Sequence, residues 1–109
     1  MKKTDKKIEN ALRGALTEAC DRSLETHEGF MWLTHFANHQ KFPGSLSIVC
    51  VFDTNEQLSK ANDEELRAII NDKLASIDIK IKDIRQHVSF DTEENCEKEN
   101  KGKWHERFK

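Results

Sequence analysis

LSIVCVF (residues 46–52) is the most apolar run in the chain, and its reading decides the fold. It is rich in β-branched and aromatic side chains and holds no Gly or Pro, so it reads as a strand. With a period of two, Leu46, Ile48, Cys50 and Phe52 share one face, and Val49 and Val51 share the other. A strand that is apolar on both faces belongs at the centre of a sheet and needs cover on both sides.

Working outward, FMWLTHF (30–36) has the same character and reads as the neighbouring strand. Between the two lies ANHQKFPGS (37–45), where Pro43-Gly44 suits the central positions of a type II turn. The expected unit is an antiparallel hairpin with a long loop. Upstream, residues 4–27 read as a helix, because Ile8, Leu12, Leu16, Cys20 and Leu24 recur every four residues. Thr4 is its candidate cap, and Gly29 followed by Phe30 is a helix-ending pair. The flanking Ala11, Ala15 and Ala19 favour packing on a sheet over a membrane-surface or partner-binding stripe.

Downstream, Asn62 with Glu65 three residues later is a capping-box-like start for a helix from Asp63 to Ala75. Leu66, Ile69, Ile70, Lys73 and Leu74 trace its stripe. IDIKIK (77–82) alternates strictly and RQHVSF (85–90) is strand-like, so the two form one bent strand or two short ones broken at Asp83. The order is α-β-β-α-β, followed by a charged tail (92–109) ending in Trp104 and Phe108. This is an α+β sandwich with two helices on one face of a mainly antiparallel sheet. At 109 residues it fits one domain, with residues 1–7 as a basic extension. Two helices cover one face only. Val49 and Val51 therefore need the tail folded back, through Trp104 and Phe108, or a second subunit.

The formal net charge of −2 gives no global field for polyanions. Residues 1–7 carry +3 and residues 96–109 carry +2, which leaves −7 on the body between them. Three scattered cysteines, Cys20, Cys50 and Cys96, make no disulfide framework and fit a reducing compartment. No apolar segment follows the basic MKKTDKKIEN, and no run is long enough to cross a bilayer. The expected setting is cytoplasmic, without a membrane partner.

Phe-Asp-Thr occurs twice, in CVFDTNEQL (50–58) and HVSFDTEENC (87–96), each copy meeting a carboxylate soon after. One reading makes Asp53 and Asp91, with Glu56, Glu93 or Glu94, a Mg²⁺-binding cluster at strand ends. The simpler reading makes Asp and Thr turn formers and caps, accepting bonds from N–H groups just ahead. The nuclease pattern of an Asp and a D/E-x-K tripeptide on consecutive strands fails, because Asp78-Ile79-Lys80 follows the second helix. Zinc is not supported, since His35 and His39 sit on a strand and loop and Cys96 has no second Cys near it. Glu93, Glu94, Glu97 and Glu99 around Cys96 weaken it as a nucleophile. Four scattered glycines make no phosphate loop, so no cofactor is implied. Lys98, Lys101, Lys103, Arg107 and Lys109 surround Trp104 and Phe108, which gives a nucleic-acid reading of the termini, opposed by the acidic body.

VCVFDTNEQL, HVSFDTEENC and the closing G-x-W-x-x-R (102–107) together resemble a group of short, uncharacterised bacterial proteins. Some of that group are labelled Fis-type transcriptional regulators. That label implies a basic helix-turn-helix, whereas this tail is mixed in charge and shows no helix pair with a turn. The resemblance brings no activity or site residues. The sequence thus supports an interaction or regulatory module that docks a protein partner or a second copy. The docking candidates are Val49, Val51, Lys101, Lys103, Trp104, Arg107 and Phe108. The alternatives are a divalent-metal phosphodiester enzyme using Asp53 and Asp91, with Glu93 as a third candidate, and nucleic-acid binding by the basic termini.

Overall fold

The computed structural model describes residues 3–109, with side chains placed for residues 6–38 and 40–109. Helix α1 (Lys3–Thr26) leads into β1 (Phe30–Phe36), and a loop with a short 3₁₀ turn connects to β2 (Ser47–Phe52). Helices α2 (Asn55–Lys60) and α3 (Asp63–Ala75) follow, then β3 (Val88–Thr92), α4 (Glu93–Asn100) and α5 (Trp104–Arg107). The α+β architecture and the α-β-β-α-β order hold, with α2, α4 and α5 as additional short helices. Met1 and Lys2 of the expected basic extension lie outside the described residues, and Lys3–Lys7 belong to α1. Thr4 is therefore inside the helix and is not its cap.

The sheet runs β1-β2-β3, so the strand read from LSIVCVF is central. β1 pairs antiparallel with β2, Leu33 opposite Cys50, while β2 pairs parallel with β3, Val51 opposite Asp91. A parallel pair requires a long crossover, and α2, α3 and the irregular segment after them supply it. This explains why IDIKIK is not a strand. β3 occupies the place beside β2, and residue 78 turns into the left-handed region (φ 63°), which Asp tolerates. The alternation still serves burial: Ile79 is buried, and Ile77 and Ile81 pack against the core.

One sheet face carries Ile48, Cys50, Phe52 and Val88, packed under Leu12, Leu16 and Ala19 of α1 and Leu66, Ile70 and Leu74 of α3. Each large side chain buried here contributes roughly 1.5–3 kcal/mol. A repeat of four residues drifts about 40° per step around a helix. Ile8 and Leu24 thus fall off the face, and Ala15, Ala19 and Ser23 are buried in their stead, while Leu24 is 49% exposed. Gly29 (φ 87°) ends α1 as read, and an added Cβ would stand 2.5 Å from Gln57 Cβ. The turn before β2 is one residue later than expected. Leu46 N–H donates to Pro43 O at 3.1 Å, which centres the turn on Gly44-Ser45.

Candidate functional site

The two Phe-Asp-Thr segments end neighbouring parallel strands but are out of step. Asp91 is level with Val51, so Asp53 lies two residues farther along, about 6–7 Å at 3.3 Å per residue. The capping atoms belong to the threonines. Thr54 Oγ1 accepts from Gln57 N–H (3.1 Å), and Thr92 Oγ1 accepts from Asn95 N–H (3.0 Å), starting α2 and α4. The two helix starts are cross-braced: Thr92 Oγ1 donates to Asn55 Oδ1 (2.9 Å), and Asn55 N–H donates to Glu94 Oε1 (2.9 Å). That N–H, then Lys98, holds the Glu94 carboxyl below its ordinary value. Asp53 is exposed, and its backbone O accepts from Glu94 N–H at 3.1 Å.

Thr92→Ala should therefore cost about 2 kcal/mol, since it removes a cap and a buried hydroxyl bond. Asp53→Ala should stay within about 0.5 kcal/mol. Urea midpoints measure both, and a larger loss for Asp53→Ala would contradict the threonine assignment.

Asp91 is engaged as well. Arg107 grips it with two bonds, Nε to Oδ2 at 2.5 Å and Nη2 to Oδ1 at 3.0 Å. Thr92 N–H donates to Oδ1 at 2.9 Å, the local bond expected of an Asp after a strand. Burial pushes this carboxyl up, but Arg107, the Thr92 N–H and the Asn95 amide outweigh it and leave it below its ordinary value. Arg107 also reaches Asn100 Oδ1 (3.0 Å) and Glu99 (3.1 Å). Glu93 accepts two indole N–H bonds, Trp32 Nε1 at 2.6 Å and Trp104 Nε1 at 3.1 Å. The candidate carboxylates of β3 and α4 are thus committed to bonds within the chain.

Those bonds close α5 over the second sheet face. The Trp32 and Trp104 rings meet edge-on at 4.8 Å, Trp104 contacts Phe108 at 5.3 Å, and Phe108 contacts Phe36 at 5.1 Å. Val51 is fully buried and Val49 half-buried. The tail expected to lack a helix pair has one, α4 and α5 around Lys101–Lys103, but α5 is four residues long and turns Trp104 and Arg107 inward. Lys101 and Lys103 are exposed. A depression of about 430 Å³ beside Val49, Ser89 and Phe108 is floored by the Asp91–Arg107 pair.

The remaining chemistry-bearing groups are dispersed. Burial pushes the Cys50 thiol up to about 12 and raises Cys96. His35 Nε2 meets Glu9 Oε1 at 2.8 Å. The side chain of His39 is outside the description. Among the described residues no three His, Cys, Asp or Glu side chains gather where a metal ion could be held, and no helix is long and apolar enough to cross a membrane.

An open sheet edge went unnoticed in the sequence. β1 and β3 are the outer strands, and among the described residues no strand lies beyond β1. Beside that edge runs a cleft of about 330 Å³ between α1 and β1, lined by Arg13, Thr17, Cys20, Asp21, Leu33 and His35 among others. The Leu33 N–H meets the Cys20 thiol there, partly offsetting the upward push of burial on its pKa. Sulfur is a weak acceptor. Successive strand residues send N–H and C=O to opposite edges, so Leu33 and His35 share the open side. The exposed large apolar residues are Leu24 (49%), Met31 (46%) and Phe36 (44%), all on α1 or β1. The sequence signal was available: FMWLTHF carries no Lys and no Pro, the usual protections of an edge. Comparison with protein-family models, with curated proteins and with solved structures finds no match.

Proposed function

We propose that the chain is a one-domain protein-interaction module that takes an extended segment of another chain along the open edge of β1, in the cleft beside α1. The observation that carries this reading is the outer edge of β1, where among the described residues no strand pairs with Leu33–His35 and only the weakly accepting Cys20 thiol meets the Leu33 N–H, bordered by exposed Met31 and Phe36. A strand laid there gains main-chain hydrogen bonds from the edge and side-chain contacts from the flanking apolar residues. The α1 wall restricts the approach to one extended segment, which separates recognition from indiscriminate edge pairing. The docking element is the sheet edge, and the tail residues Trp104, Arg107 and Phe108 serve it by holding the sheet together. The unpaired thiols fit a cytoplasmic setting.

The test is selection of peptides from a displayed random library, followed by amide hydrogen exchange on the complex. Selected peptides should slow exchange at Leu33 and His35. Met31→Lys should abolish their binding while shifting the melting midpoint by no more than about 2 °C, since a surface change stays near 0.5 kcal/mol. Protection confined to α5 or α3, or binding indifferent to Met31→Lys, would overturn the reading.

A further inference from the structure

His27 is the first residue beyond α1, and it is only 9% exposed. Its neighbour dictates where its ring hydrogen sits. Thr26 Oγ1 stands 2.8 Å from Arg22 O, and a carbonyl oxygen only accepts, so the hydroxyl hydrogen is committed there. Thr26 Oγ1 is also 2.8 Å from His27 Nδ1, and in that bond it must accept. The neutral ring therefore carries its hydrogen on Nδ1 and a bare lone pair on Nε2. Nε2 has no hydrogen-bond partner among the described residues. The only occluded side-chain nitrogen or oxygen without a partner among those residues is Arg67 Nε. Nε2 of His27 thus opens on free space.

That space is a pocket of about 270 Å³ where α1 ends and α3 begins, lined by Thr26, His27, Glu28, Gln57, Lys60 and Glu65 among others. Its charges favour a cation. The Glu28 and Glu65 carboxylates have no partner among the described residues, whereas the Lys60 ammonium is held by Glu56 at 3.1 Å. The negative pole of α1 ends here with no basic residue in its last turn. The positive pole of α3 is answered within the chain. Asn62 Oδ1 accepts from Glu65 N–H at 3.1 Å, and Asp63, Glu64 and Glu65 fill the first turn.

We propose that this pocket binds a primary ammonium group, whose three N–H donors meet His27 Nε2 and the carboxylates of Glu28 and Glu65. The bare imidazole nitrogen asks for a donor, and the two carboxylates ask for a positive one. Among the described residues no three such side chains gather closely enough to hold a metal ion. An ammonium bonds its acceptors at about 2.7–2.9 Å, against about 2.0–2.2 Å for zinc, so it suits the wider spacing. The volume lies just under the usual range for a whole ligand, about 300–1,000 Å³, and fits the end of one amine chain. The pocket shares no lining residue with the cleft beside β1, so the two sites are tested separately. The amine is either a small free molecule or the lysine side chain of a peptide.

Long-range proton–nitrogen NMR correlation of the imidazole rings in the full chain reads the site directly. At about pH 8.5 free imidazole is neutral and an alkylamine is still protonated. Without ligand, His27 should be the Nδ1–H tautomer. Butylamine and N-acetyl-lysine amide should shift His27 Nε2 and the Glu28 and Glu65 amides, with a dissociation constant of about 1 mM or tighter. Butanol, the neutral counterpart, should shift none of them. The tighter of the two amines identifies the source. Glu28→Gln and Glu65→Gln alter exposed side chains, and each should weaken amine binding roughly tenfold while leaving the tautomer in place. An Nε2–H tautomer in the free chain or an Nε2 signal unmoved by both amines overturns the proposal. So does binding that is matched by butanol or indifferent to both variants.

Discussion

Removal of residues 101–109 should cost about 4–6 kcal/mol and leave a chain that associates at micromolar concentration. The deletion strips α5 from the sheet, taking Trp104 and Phe108 away from Trp32 and Phe36 and half-uncovering Val49. Truncating a fully buried Trp or Phe costs about 3–5 kcal/mol. These rings are half-buried, so each is assigned roughly half that value. The loss of the Trp104–Glu93 bond and of the Asp91–Arg107 pair adds to it. Against a total stability of about 5–15 kcal/mol for a small protein, this is a large fraction. Thermal melts followed by circular dichroism, with an apolar-surface dye, read the outcome. A midpoint within about 2 °C of the full chain, with no dye binding, would show that α5 contributes nothing to the sheet.

Arg107→Met should cost about 3 kcal/mol at neutral pH, with a dependence on pH that identifies the cause. Breaking a buried ion pair by removing one partner typically costs about 3–5 kcal/mol, and both side chains here are 17–18% exposed, so the lower end applies. Asp91 has a folded-state pKa below its unfolded value, so its pairing stabilises the fold above the unfolded value, about 3.9. That contribution disappears as pH falls through the depressed folded value, because protonation releases the guanidinium. In the variant, burial still pushes the carboxyl up without Arg107 to oppose it. The gap between wild type and variant is therefore widest at neutral pH and narrows below about pH 4. Urea midpoints at pH 7 and pH 3.5 measure it. A gap that stays constant would show that Arg107 acts only through packing.

The sequence was most legible where apolar pattern and capping chemistry agree. Asn62 and the Leu66–Leu74 stripe placed α3 between Asp63 and Ala75, where it lies. The two-faced LSIVCVF located the central strand and demanded a second cover, and Trp104 and Phe108 stand where that cover is needed. NEQLSK and EENCEKEN were opaque as helices, because such short polar segments have almost no apolar period, even though Thr54 and Thr92 ahead of them read as caps. IDIKIK misled because alternation reports which side is buried and says nothing about whether a neighbouring strand exists. At the candidate site, the carboxylates were visible in the sequence but their partners were not. The bond from Trp32 to Glu93 spans sixty-one residues, and only the parallel pairing of β2 with β3 brings its ends together.

Glu93 also fixes an order of assembly. Its carboxylate meets Trp32, and brings the Trp32 ring to Trp104, only once β3 lies beside β2, and that requires the segment 53–87 to close a long crossover. The β1–β2 hairpin draws on nearby sequence and can form early, whereas the β3 pairing carries the entropy of that closure. Helix α5 finds Trp32 and Phe36 of β1 in place only after both steps. Those contacts with β1 are expected to form after the folding barrier and so to act on the rate of unfolding. The last helix is thus expected to act as a kinetic latch, one that sets how long the fold lasts and does not hasten it.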